Sequence, residues 1–263
     1  MALTPFFVKP LAFAVAGVST ELTANPAAHL AEFKFPAMTW KTASITGTTA
    51  SVVLDLGSLQ QVDFVGIIGA NAQAGTKYEI QMDNTNTTLL GASPTYRSGT
   101  LDFISPAVTG RALYHSHLEI SPAQTRRYVA IVISAHAGAF EASTIVVGKK
   151  VSVAKYYETE WETGPLDLSN VSESRNGVPD EAAGVVWRQK SFTLGWLSES
   201  EWETSISPLL MSLGKTEPVY CCFDPDATTY RQGRTYFGRL AESRVRKRAF
   251  NRLEKQFDIR SFI

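Results

Sequence analysis

The stretch Ser51–Gly69, SVVLDLGSLQQVDFVGIIG, constrains this chain more than any other segment, because its apolar residues recur at every second position. In SVVLDL, Val52, Leu54 and Leu56 fall on one face of a strand and Val53 and Asp55 on the other. Val62, Phe64, Ile67 and Ile68 form a second, more fully buried run that ends at Gly69. The two runs predict paired strands framing an Asp-Leu-Gly turn. Further short strands are expected at Lys77–Met82, Ala112–Ile120 and Tyr128–Ser134, separated by turn-rich stretches such as DNTNTTLLGASP. Strands at this spacing predict a sandwich or jelly roll that closes near Ile145–Gly148. Residues up to about Thr39 read as a Pro- and Ala-rich lead-in lying against the body. The apolar run Leu11–Val18 follows a single lysine, Lys9, and reads as a short early strand rather than a leader.

The second half, 149–263, changes character and is read as a separate domain after a first one spanning 1–148. A strand near Val185–Trp196 leads into the one convincing helix, near 199–213. Ser198 and Glu201 have the spacing of a capping box, Leu197 and Trp202 that of a hydrophobic staple, and Gly214 sits at the C-terminal cap. Pro208 should kink the middle of that helix. Strands follow at Pro218–Phe223, Thr235–Ala241 and Arg248–Ile263, giving one helix packed on an antiparallel sheet. The fold class expected is mainly β: a jelly-roll sandwich followed by a β-rich α+β domain.

Chemistry is sparse. Twenty-five basic and twenty-five acidic residues balance, so no global field draws the chain to nucleic acid or an anionic membrane. No apolar run approaches the roughly 20 residues that span a bilayer as a helix. The only two cysteines, Cys221 and Cys222, are adjacent and point to opposite faces of a strand, which disfavours a mutual disulfide. No nucleophile elbow, phosphate loop, dinucleotide fingerprint or zinc-protease helix is present, so no catalytic residue, metal or cofactor is assigned. His115, His117 and Glu119 alternate onto one strand face; a metal site there stays open beside a merely polar face or a subunit contact. Asp55 and Asp63 read as turn-fixing carboxylates rather than a catalytic pair. Arg244, Arg246 and Arg248 would line one face of a strand, and this row reads as a protein contact more than a nucleic-acid one. Together with Trp161 and Trp187 they are the candidate subunit contacts. Asn84, Asn86 and Tyr96 are the candidate glycan contacts, an aromatic with nearby amides in one loop.

Trp40, Asp55, Leu56, Gly57, Val62 and Asp63, together with the strands around them, resemble the discoidin-like, or galactose-binding-like, jelly roll over about residues 15–148. The segment before the tryptophan, LAEFKFPAMTW, departs from the acidic loop many relatives carry there, so neither calcium nor a sugar site is transferred. The order of this jelly roll, then Leu194, Trp196, Glu201, Gly214, Pro218, Val219, Gly238 and Leu240 in their strand-helix-strand setting, resembles minor tail proteins of long-tailed bacteriophages. That resemblance implies a structural, non-enzymatic virion protein of the tail tip or baseplate, assembled in the host cytoplasm as a homo-oligomer. Its implied partners are the tail tube, the hub and the tape-measure region, with a carbohydrate-binding role toward host surface glycans as the alternative.

Overall fold

A computed structural model describes residues 4–91, 93–155, 157, 160–173, 179–241, 245–249 and 252–262. In chain order the strands begin with β1 (Phe6–Val8), β2 (Ala14–Val18), β3 (Trp40–Ser44), β4 (Ala50–Ala70) and β5 (Lys77–Asp83). They continue with β6 (Tyr96–Arg97), β7 (Leu101–Asp102), β8 (Tyr114–Ser134), β9 (Ala139–Ala142), β10 (Thr144–Gly148) and β11 (Lys150–Ser152). The remainder are β12 (Trp161–Asp167), β13 (Asn170–Glu173), β14 (Pro179–Ala182), β15 (Val186–Ser198), β16 (Val219–Cys222), β17 (Thr235–Leu240), β18 (Val245–Ala249) and β19 (Arg252–Ser261). The chain is mainly β, a sandwich followed by a β-rich unit with one main helical segment.

The two runs of the opening stretch are a single 21-residue strand, β4, rather than two strands and a turn. Gly57 holds φ at +76°, its N–H donates to Asp55 Oδ1 at 2.8 Å, and the register against β8 slips between Asp55 and Gln60. A positive φ is open to glycine at no steric cost, so the strand bends here without ending. Its first half pairs with β2 and the second half of β8, while its second half pairs with β10 and the first half of β8. One long ribbon therefore supplies both layers of the sandwich. Asp55 also receives two hydrogen bonds from Arg127, and Asp63 accepts from Lys150 N, so both carboxylates fix backbone and strand geometry. The core between the layers is built from Trp40, Val52, Leu54, Val65, Ile80, Ile131, Phe140 and Val147, among others.

The second sheet runs β11-β1-β16-β17-β19-β15-β12, with β18 paired to β19. Its second strand from one edge is unexpected in origin: β1 comes from the lead-in and lies between β11 and β16. The period-2 alternation then sends side chains to two different cores. Phe7, Val219, Cys221 and Tyr236 face the helix and its partners Ile206, Leu209 and Leu213. Phe6, Val8, Tyr220, Cys222 and Phe237 face the sandwich and pack on Phe64, Ile68 and Val146. Both cysteines are free and buried, one in each core.

The helical segment starts at Ser198 with a complete capping box, Ser198 accepting from Glu201 N and Glu201 accepting from Ser198 N. The expected kink takes the form of a π-helical turn over Trp202–Ile206, followed by α-helix over Ser207–Leu213. Pro208 is the second residue of the latter, directly after the π-helical turn, where the hydrogen-bond pattern changes and a missing N–H is accommodated. The expected final strand Arg248–Ile263 is instead the hairpin of β18 and β19. Arg244 lies outside the described residues, Arg246 is exposed opposite Glu254, and the register shifts between Lys247 and Ala249, where Arg248 falls. A bulge breaks strict alternation, which removes the basis for one continuous arginine row.

Candidate functional site

The face that carries His115, His117 and Glu119 does align as the alternation predicts, but the protein covers both imidazoles internally and leaves Glu119 exposed, paired with Lys150. His115 accepts from Gly69 N at Nδ1, 3.0 Å, and its backbone N–H and carbonyl are both bound by the Gln232 side-chain amide at 2.9 and 2.6 Å. His117 Nδ1 lies 3.0 Å from the Tyr220 hydroxyl, and its ring stacks on Phe64 and meets Phe6 and Tyr220 edge-on. Burial drives both imidazoles down to about 3, helped by Arg188 and Arg111 near His115 and by Arg231 and Lys150 near His117. They are neutral struts of the joint between the two units. Among the described residues no three His, Cys, Asp or Glu side chains gather closely enough to hold a metal ion.

Beside this joint a groove of about 740 Å³ opens between the units. The lead-in loop contributes Phe35, Pro36 and Met38, the sandwich Leu113, Asn71 and Glu141, and the second sheet Val185, Trp187, Arg239 and Phe262. Phe35 is 59% exposed, Val185 62%, Leu113 43% and Met38 39%. Trp187 meets Phe262 edge-on at 5.8 Å. The polar wall is already satisfied and stiff: Asn71 bridges Ala139 O and Glu141 N, and Thr39 donates to Glu141 at 2.6 Å. An apolar surface framed by a rigid polar rim is the composition of a docking site.

A second apolar feature projects from the same sheet. Beyond β12 and β15 the chain continues as the β13–β14 ladder, tied back by Leu168 N to Val185 O. Leu168 and Val171 on this arm are 48% and 65% exposed, and Val186 at its root in β15 is 57% exposed. Sequence reading singled out Trp187, which lines the groove, but neither the rest of the groove nor the arm, since a lone valine in a polar hairpin carries no periodic signal.

Trp161 is half-exposed and sits over Lys190, whose ammonium lies 3.1 Å from the ring centroid and 3.8 Å from that of Phe223. Burial, with Arg234 nearby, pulls the Lys190 amine down to about 7. The tryptophan is thus an aromatic lid on a buried lysine as well as a surface residue. Tyr96 is half-buried against the sandwich core, whereas Asn84 and Asn86 are exposed. Their loop is pinned at its base by Asp83, which accepts from Asn84 N, Thr95 N and the Thr95 hydroxyl. Of the three candidate glycan residues, two are exposed amides and the third is a half-buried ring.

The sandwich and its joined sheet make this a non-periodic, mainly β protein of the jelly-roll class. No protein-family model matches the sequence, and no curated protein matches it. Solved structures are similar to about half of it. The chitosan-binding module 1 of a chitosanase/glucanase from Paenibacillus sp. IK-5 is 19% identical, with TM-score 0.38, over 53% of this chain and 98% of that one. The family 32 carbohydrate-binding module of C. perfringens NanJ, solved with galactose, is 14% identical, with TM-score 0.40, over 55% and 99%. XRCC1, solved bound to the DNA polymerase beta catalytic domain, is 18% identical, with TM-score 0.41, over 53% and 98%.

Proposed function

We propose that this protein is a non-catalytic structural component that assembles with copies of itself, in the tail tip or baseplate of a long-tailed bacteriophage. The observation that carries the assembly reading is apolar surface displayed on two separate features, the groove at the junction of the units and the arm projecting from the second sheet. Two different patches on one subunit suit a heterologous contact, which closes into a ring when repeated about an axis. The tail setting, with the tube, hub and tape measure as neighbours, comes from the sequence resemblance. The test is the mass of the purified protein in solution, with Val171→Asp and Trp187→Ala as variants. Assembly predicts a discrete oligomer that both variants weaken; a wild-type protein that stays monomeric at high concentration and never joins tail particles overturns the reading.

A second reading, carbohydrate binding, is favoured by the exposed amides of Asn84 and Asn86 on a loop whose base is held rigid by Asp83. Amides fixed on a stiff loop suit hydrogen bonding to sugar hydroxyls at low ordering cost. Galactose and chitosan oligosaccharides are the first probes. Binding that is lost in Asn84→Ala and Asn86→Ala supports this reading, and silence across a broad glycan array removes it. Tyr96 is a poor probe here because its ring also packs on the core.

A further inference from the structure

The Phe-Gly-Arg-Leu strand holds a charge arrangement that the assembly reading does not use. Gly238 has no room for a side chain: a Cβ built there would stand 1.8 Å from the Arg260 carbonyl oxygen. This close approach locks β17 on β19 in the register that places Arg239 directly opposite Arg260. Directly opposed residues share one face with Cβ atoms about 5 Å apart, and like charges so placed repel. Among the described residues neither arginine has a carboxylate within ion-pair distance. Glu217, the carboxylate that feels Arg239, is held by Lys34 at 2.6 Å. Lys215 lines the same small pocket.

Arg239 carries a further sign of an unfilled role. Its Nε is buried with no hydrogen-bond partner among the described residues, while its guanidinium lies 5.3 Å over the Phe262 ring. A buried guanidinium N–H without an acceptor costs more than a made bond returns, unless something supplies the acceptor. The pocket, about 290 Å³, shares Trp187, Arg239 and Phe262 with the larger apolar groove and is continuous with it.

We infer that Arg239 and Arg260 form an oxyanion-binding site. It takes a carboxylate or phosphate group on a ligand whose ring or apolar part lies against Trp187. Guanidinium forks match both anions in geometry, and the adjacent aromatic edge gives the remainder of such a ligand a surface to cover. The site is complete within one chain, so it does not depend on self-assembly.

The test is the thermal midpoint and calorimetric titration of the full chain at low ionic strength, with inorganic phosphate, phenyl phosphate and glucuronate as probes and phenyl glucoside as the neutral control. A millimolar site filled at about 20 mM ligand raises the midpoint by about 3 °C for a chain of this size. At least one anion is expected to do so; phosphate alone or glucuronate alone tells which oxyanion is preferred. The gain should fall with added sodium chloride, and affinity should drop by about tenfold or more in Arg260→Gln, since a charged hydrogen bond is lost. Arg260 is exposed, so this variant should keep the fold; Arg239→Gln is the second arm. The inference is overturned if no anion shifts the midpoint, if the shift is equal in wild type and Arg260→Gln, or if phenyl glucoside binds as well as phenyl phosphate. Following the oligomer mass in the same samples separates this result from the fate of the assembly reading.

Discussion

Acid should loosen the joint between the two units, and His115 and His117 set the pH range. Both rings are buried neutral, with their pKa values pushed down to about 3 in the folded chain. In the unfolded chain they return to the ordinary histidine value of about 6.5. Above that value neither state is protonated and the two residues contribute no pH dependence. As the pH falls below it, the unfolded chain takes up protons that the folded chain refuses, so stability is lost progressively down toward pH 3. At about pH 5 the loss is about 2 kcal/mol per histidine, or about 4 kcal/mol for the pair, a large share of a typical domain stability of about 5–15 kcal/mol. The carboxylates held low by partners, Asp55, Glu201 and Glu217, give up their contribution only at lower pH, as they are protonated toward and below their ordinary values near 4. Urea unfolding at about pH 7.5 and about pH 5 thus reads mainly the buried imidazoles; Lys190 and His136, whose pKa values burial also lowers, contribute equally to wild type and to the variant below and cancel in the comparison. The double variant His115→Gln/His117→Gln keeps an acceptor for Gly69 N and for the Tyr220 hydroxyl while removing the titration. It should lose far less stability than wild type between the two conditions. An equal loss in both proteins would refute the assignment of the acid response to these rings.

Three other outcomes follow from local geometry. Gly238→Ala should destabilise by at least about 3 kcal/mol or prevent folding, because the Arg260 carbonyl cannot retreat without breaking the β17–β19 ladder; chemical denaturation measures it. Ser198→Ala removes one half of the capping box and should cost about 1 kcal/mol, read as a lower urea midpoint with unchanged m-value. Lys190 has a folded pKa depressed to about 7 against about 10.5 unfolded, so its penalty on stability is absent above the unfolded value and grows as pH falls toward 7. Lys190→Met should therefore flatten the rise in stability between about pH 7 and about pH 9; an unchanged profile would mean the ammonium is not desolvated.

Local chemistry made the strands and the helix start readable. Alternation in SVVLDL and the Ser198 and Glu201 spacing are decided within a few residues, and both are present in the structure. Where the outcome depends on distant partners the sequence was silent or misleading. Asp-Leu-Gly looked like a turn between two strands because a glycine with positive φ serves both a turn and a bend, and only the ladder to β8 distinguishes them. For His115 and His117 a metal site, a polar strand face and a subunit contact all stayed open because nothing in YHSHLEI announces that Tyr220 and Gln232 will cover them. Phe6–Val8 is too short to carry periodicity, and its place in the second sheet is set by β11 and β16, more than 140 residues away in sequence. The Arg239 and Arg260 juxtaposition is likewise a matter of register, invisible until β17 and β19 are paired.

The position of β1 has a consequence for how the chain reaches this state. Its partners in the sheet are Lys150–Ser152 and Val219–Cys222, so a strand made well before either of them must wait for both. During synthesis the sandwich can close while Phe6, Phe7 and Val8 still wait, and the second sheet must assemble around a strand that has been solvent-exposed throughout. A bulky fusion placed close before β1 would then burden the far end of the chain rather than the near one. Cutting the link after Gly148 would leave the second unit holding a strand it no longer shares a backbone with, so the two pieces should stay together as a noncovalent complex.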